Sequence, residues 1–121
     1  MREVHHFIGG KQVSGTSGRF GDIYNPNTGE VQARVALATA AELDAAVANA
    51  QAAFPAWAAT NPQRRARVMF EFKRLLEAHI DELAHLLSSE HGKVIADSRG
   101  DVQRGIDVVE FACGIPHLQK G

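Results

Sequence analysis

The single cysteine, Cys113, and the histidine four residues after it, His117, form the first pair in this sequence suited to covalent chemistry. A thiol becomes a nucleophile where a cation, a base or a helix N-terminus stabilises the thiolate, and on a helix His117 would come within reach of it. Cys113 also completes the row Val102, Ile106, Val109, Cys113, whose spacing of four, three and four marks one helix face at about 100° per residue. A cysteine on such a row packs as a small hydrophobe, and the negative end of a helix opposes thiolate formation. Two ligands are too few for zinc. The other histidines, His5, His6, His79, His85 and His91, show no metal-binding spacing, and His91 reads as a cation favoured in a last helical turn. Gly15, Gly18 and Gly21 imitate a phosphate loop without the helix or the Gly-Lys-Ser/Thr that such a loop needs. Arg64, Arg65, Arg67, Lys73 and Arg74 make one helix basic and read as a solvated or ion-paired face.

Arg104 stands apart. On a helical wheel it lies about 200° from Val102, among Val108, Phe111 and Ile115, so its helix is apolar on two sides with a guanidinium set into the second. Helices apolar on both sides are buried in a larger body, and a buried arginine needs an anion. Spacing allows an intramolecular partner, Asp101 or Asp107. It equally allows a substrate carboxylate, which a planar guanidinium can hold with two parallel hydrogen bonds.

Elements must place these groups. "HHFIGGKQV" reads as a hairpin turned at Gly9-Gly10, and Phe20–Tyr24 with Glu30–Ala36 reads as a second hairpin around "NPNTG". Between them "GTSGRFG" is expected to be a flexible link. Two isolated hairpins bury little and need a surface from elsewhere. Helical periodicity begins at Thr39, which with Glu42 makes a capping box; Leu43, Val47, Ala50 and Phe54 follow on one face, and Pro55 is expected to end the helix. Asn61 caps a second helix with Pro62 at its first position and Val68, Phe72, Leu75 and Leu76 as its stripe. A break near His79 introduces a third helix through Leu83, Leu86 and Leu87, closed by Gly92. The last element runs from about Val94 to Leu118.

The 13 basic and 14 acidic residues leave a net charge of −1, which gives no electrostatic case for nucleic acid or anionic membranes. No apolar run approaches the roughly 18 residues of a spanning helix, and "MREVHHFIGG" has no secretory h-region. One cysteine permits no internal disulfide and fits a reducing compartment. A chain of 121 residues is one small domain by size.

In order and spacing, "FIGGKQV", "NPNTGEVQARV", "AAFPAW", "RRARVMFEFKRLLEAHIDELAHLLSSEHGK" and "GDVQRGIDVVEFACG" resemble the N-terminal part of the aldehyde dehydrogenase superfamily over nearly the whole chain. Within it, "GDVQRGIDVVEFAC" is most similar to the CoA-acylating methylmalonate-semialdehyde dehydrogenases. The resemblance implies an α+β fragment, with two N-terminal hairpins over residues 1–38 and three or four helices over 39–121 that pack on a dinucleotide-binding domain, all part of the larger α/β fold of the parent enzyme. Such parents are several times longer and carry their nucleophile, general base, oxyanion donor and glycine-rich cofactor turn downstream of the region matched. No catalytic or cofactor-binding residue is therefore expected in this segment, which alone should be inactive and bind neither NAD nor CoA. Arg104 matches the position where this subgroup has an arginine for the substrate carboxylate.

The parent implied is a cytoplasmic homo-oligomer that oxidises a semialdehyde to an acyl-CoA with NAD, CoA and loss of carbon dioxide. Its partners are a small-molecule substrate and the rest of its own chain. Another aldehyde dehydrogenase, a free-standing helical interaction module and a small enzyme built on Cys113 and His117 are the alternatives.

Overall fold

The computed structural model describes residues 1–121, which divide into two units, Met1–Ala58 and Ala59–Gly121. The first holds β1 (Arg2–Val4), β2 (His6–Ile8), β3 (Lys11–Val13), β4 (Phe20–Tyr24), β5 (Val31–Ala36) and α1 (Ala40–Ala59), which reaches the boundary. The second holds α2 (Pro62–Ala78), α3 (Ile80–His91), α4 (Ile95–Ala112) and α5 (Ile115–Leu118).

Both expected hairpins form. Gly9 and Gly10 have φ of 63° and 79°, the two positive values a tight two-residue turn requires, and β2 pairs with β3 from Ile8↔Lys11 outward. In the second, Asn25 Oδ1 accepts from the Asn27 amide at 2.9 Å and the Asn25 and Glu30 backbones close the loop at 2.8 Å. The paired strand begins at Val31, one residue after the expected Glu30, and the register shifts between Ile23 and Tyr24.

Two expectations for this unit need correction. The hairpins are not isolated units of equal standing, because β1 pairs in parallel with β5 and gives a sheet of order β1-β5-β4 with Ala33 and Ala36 buried on its central strand. A three-residue strand whose partner lies some thirty residues on leaves no local signal. Nor is "GTSGRFG" a loose link. Ser17 Oγ donates to the Leu37 carbonyl, the Leu37 amide donates to the Arg19 carbonyl at 2.9 Å, and the Thr16 amide and hydroxyl both donate to Glu42 at 2.7 and 2.9 Å. Its polar side chains and backbone groups are what fix it.

Glu42 is also the acidic half of the capping box. Its amide donates to Thr39 Oγ1 at 3.1 Å and its carboxylate accepts from the Thr39 amide at 2.8 Å. The backbone amides of Thr39 and Thr16 hold the Glu42 carboxyl down at about 2. Pro55, by contrast, does not stop α1, which continues to Ala59. A proline removes one backbone donor and crowds the preceding turn; here one hydrogen bond is lost and the helix continues through alanines at 52, 53, 56, 58 and 59 that favour it on both sides.

In the second unit Asn61 Oδ1 accepts from the Gln63 amide at 2.9 Å, with Pro62 opening α2. His79 is shared between α2 and α3 as the expected break, and Gly92, at φ 90°, closes α3 in the left-handed conformation. Helix α4 packs on both α2 and α3. The core is small: Ala66, Ala84, Ile106 and Cys113 are buried, and Ser98, also buried, shares a 2.7 Å hydrogen bond with Ser88.

The apolar stripe foreseen for α2 is only partly internal. Leu76 lies with Ala66 and Met69 on the inner side, whereas Val68, Phe72 and Leu75 are exposed. The helix carries two apolar rows, and the one led by Ala66, which lets backbones approach, is the one that meets its neighbours within this chain. The last element is also two pieces, with α4 ending at Ala112 and the short α5 resuming after Cys113 and Gly114. No helix is long and apolar enough to cross a membrane.

Candidate functional site

Helix α4 sets its two faces as the wheel requires. Val102, Ile106, Val109 and Cys113 turn inward to differing depths, and Arg104, Val108 and Phe111 turn away from them. Within these 121 residues that second face is open: the Arg104 side chain is 80% exposed, and Val108 and Phe111 are each 68% exposed. The expectation that Arg104 is buried therefore does not hold for this chain, which contains no element covering the face.

Of the two foreseen partners the structure selects Asp101. Arg104 Nη1 donates to Asp101 Oδ1 at 2.9 Å, across one helical turn, while Asp107 accepts from Gln103 Nε2 at 2.9 Å instead. The other oxygen of Asp101 takes the ammonium of Lys93, which lies between α3 and α4 just after Gly92. That hydrogen bond holds the Asp101 carboxyl below its usual value, against the cost of partial burial and with the charges of Lys93, Arg104 and His91 assisting. A mixed group of two cations on one carboxylate results, with the outer cation facing solvent. Such a guanidinium can take an anion.

Cys113 is 7% exposed and ends α4, its amide donating to the Val109 and Glu110 carbonyls at 3.1 and 3.2 Å. It shares the wall of an open cavity of about 800 Å³ with Asn61, Phe70 and His117, but no bond joins it to His117. Its position matches the packing reading. The other histidines serve local ends: His79 Nδ1 meets Glu82 at 3.0 Å, His85 Nδ1 meets the Asp81 carbonyl at 2.8 Å, and His91 stands in the last turn of α3. No cluster of His, Cys, Asp or Glu could hold a metal ion. On the basic helix α2, Arg74 is fully forked onto Glu71 and Lys73 pairs with Glu77 at 2.8 Å, as a solvated, ion-paired face should be.

Two positioning contacts carry no sequence signal of their own. Lys93 reaches Asp101 only because a left-handed turn at Gly92 folds the α3–α4 connection back, a separation of eight residues with no helical period. The second function of Glu42, gripping Thr16, crosses 26 residues.

Comparison with known proteins adds the wider frame. The model of the aldehyde dehydrogenase family matches residues 13–121. Malonate-semialdehyde dehydrogenase 3 of Geobacillus kaustophilus is 51% identical over 120 residues, covering 99% of this chain and 25% of that protein. The human mitochondrial methylmalonate-semialdehyde/malonate-semialdehyde dehydrogenase (acylating) is 47% identical over 118 residues, 98% of this chain and 22% of its own length. Among solved structures, methylmalonate-semialdehyde dehydrogenase of Oceanimonas doudoroffii superposes with a TM-score of 0.93 at 46% identity, over 98% of this chain and 24% of that one. A Sinorhizobium meliloti protein solved with NAD gives 0.94 at 61% identity, over 98% and 24%. The chain thus spans about a quarter of the length of the curated relatives it matches.

Proposed function

The chain belongs to the aldehyde dehydrogenase family, and from that premise we propose that it is the N-terminal part of an NAD-dependent, CoA-acylating dehydrogenase of malonate or methylmalonate semialdehyde. The observation that carries this reading is the match of 51% over 99% of the chain to a malonate-semialdehyde dehydrogenase. The reaction converts semialdehyde, NAD and CoA to acyl-CoA, carbon dioxide and NADH. The 121 residues do not themselves fit a dinucleotide: Gly15 and Gly18 lie between β3 and β4, Gly21 lies within β4, and no helix opens on them, whereas a pyrophosphate cradle is a glycine turn at a helix N-terminus. The steps at NAD and CoA are assigned to the rest of the parent chain.

What these residues contribute is recognition. Arg104 donates two parallel hydrogen bonds to the carboxylate that distinguishes a semialdehyde from a plain aldehyde. Its outward guanidinium supports this, as do the open apolar residues beside it, Val108 and Phe111. Residues 39–121 pack on the dinucleotide-binding domain of the parent, a cytoplasmic homo-oligomer; the exposed faces of α1, α2 and α4 are the surfaces available for that packing. Full-length parent incubated with malonate semialdehyde, NAD and CoA should form NADH and acetyl-CoA in equal amounts. NADH formed with free acid and no acyl-CoA would place the chain in another branch of the family.

A further inference from the structure

Four arginines in this chain pair with carboxylates: Arg34 and Arg74 through two nitrogens of one edge, Arg99 and Arg104 through Nη1 alone. Arg74 meets Glu71, three residues earlier, through Nε at 3.0 Å and Nη2 at 2.6 Å, one bond to each carboxylate oxygen. Arg34 meets Glu3 through the same two nitrogens, Nε at 2.9 Å and Nη2. Both commit the edge that a guanidinium uses for two parallel hydrogen bonds. Arg104 meets Asp101 at the same three-residue spacing as Arg74, yet only through Nη1, at 2.9 Å. Its Nε–Nη2 edge has no partner in the protein.

At Arg104, unlike at Arg74, a lysine, Lys93, shares the carboxylate. It occupies Oδ2 of Asp101, leaving only Oδ1 for the arginine. The side chains grade outward, with Lys93 22% exposed, Asp101 36% and Arg104 80%, so the lysine holds Asp101 in the more shielded of the two pairs. Lys93 is itself anchored: the Gly92 amide donates to the Ser88 carbonyl at 2.9 Å before it, and the Val94 carbonyl accepts from Asp97 and Ser98 at 3.1 Å after it.

We propose that Lys93 and Asp101 are positioning residues for Arg104: Lys93 restrains the Asp101 carboxylate to a single bond at Nη1, which tethers the guanidinium and keeps its two-donor edge open for a ligand carboxylate. The proposal rests on the carboxylate-binding reading of Arg104. Without Lys93 the freed carboxylate turns onto the Nε–Nη2 edge, as Glu71 does on Arg74, and competes with substrate.

The test uses full-length parent enzyme and the ratio of kcat/KM for malonate semialdehyde to that for propanal, which has no carboxylate. Lys93→Met should lower the ratio about tenfold through KM, with kcat little changed. Adding Asp101→Asn to Lys93→Met should recover most of it, because a neutral amide competes weakly, and Lys93→Arg should keep it near wild type. Asp101→Glu, with Lys93 intact, lengthens the carboxylate to the reach of Glu71 and should lower the ratio as well; it decides the matter should Lys93→Met fail to fold. An unchanged ratio in Lys93→Met or in Asp101→Glu, or no recovery in the double variant, overturns the proposal. Arg104→Met measured alongside separates the two ideas. A selective loss there with no response at Lys93 rejects positioning alone, and equal losses on both substrates reject the reading of Arg104 itself.

Discussion

Arg104→Met keeps side-chain length and apolar contact but removes every donor, so its effect measures what the charged hydrogen bonds do. Charge-assisted bonds contribute about 1.5 to 3 kcal/mol, which corresponds to roughly a 10- to 150-fold loss in kcat/KM. In the parent enzyme that loss should fall on carboxylate-bearing semialdehydes and leave propanal largely unaffected, as steady-state kinetics on both substrates will show. Arg104→Lys should restore only part, since an ammonium has no planar fork. Equal losses would make Arg104 a structural partner of Asp101, the pairing already visible at 2.9 Å. This much of the site was legible in the sequence because it is local: Arg104 and Asp101 are one helical turn apart, and the row from Val102 to Cys113 has a simple period. Lys93 was not legible. Its approach to Asp101 depends on the backbone direction at Gly92, which spacing along the chain does not encode.

Elements announced by local chemistry behave as read, and Glu42 shows how far that reach extends. Its carboxylate closes the capping box of α1 and also takes the amide and hydroxyl of Thr16, so one side chain joins the β3–β4 connection to the helix. Those bonds favour the ionised form and depress its pKa from 4.5 to about 2. For a depressed carboxylate the stabilisation is fully present above the unfolded value and is lost as pH falls through the folded one. The difference in unfolding free energy between the wild type and Glu42→Gln should accordingly be constant above about pH 4.5 and shrink toward zero near pH 2, the two values of this carboxyl. Denaturant titrations of both proteins across that window check it, and a pH-independent difference would mean that geometry, not charge, holds Thr16. Thr39 with Glu42, Asn61-Pro62 and Gly92 were readable because a cap satisfies orphan backbone groups within three residues of itself. The strand β1 was not, because a parallel partner lies across the chain, at Arg2↔Ala33. Pro55 misled for the opposite reason: a local rule was outweighed by the alanines on either side of it, and the helix runs on to Ala59 with one hydrogen bond fewer.

At the scale of the whole molecule each unit has too little interior for the apolar surface it carries. In the first, α1 has no buried residue and presents Leu43, Val47, Phe54 and Trp57 to solvent. In the second, Ile106 is the only large apolar side chain fully buried, against Val68, Phe72 and Leu75 exposed on α2 and Val108 and Phe111 exposed on α4. Bodies of about 60 residues are marginal even when well packed, because they bury a smaller fraction of their surface than larger domains do. Apolar faces left open drive association. The isolated 121-residue chain should therefore sediment as species heavier than its 13.1 kDa monomer and melt over a broad range, and it should produce no NADH from aldehyde and NAD. Replacing Val108 and Phe111 together by serine removes two open contacts without touching Ile106 or Cys113, so sedimentation velocity should show a larger monomer fraction at the same concentration. A wild-type chain that stays monomeric and melts sharply would instead mean that these faces need no further chain to cover them. That outcome would favour a free-standing helical module over a segment of a larger dehydrogenase.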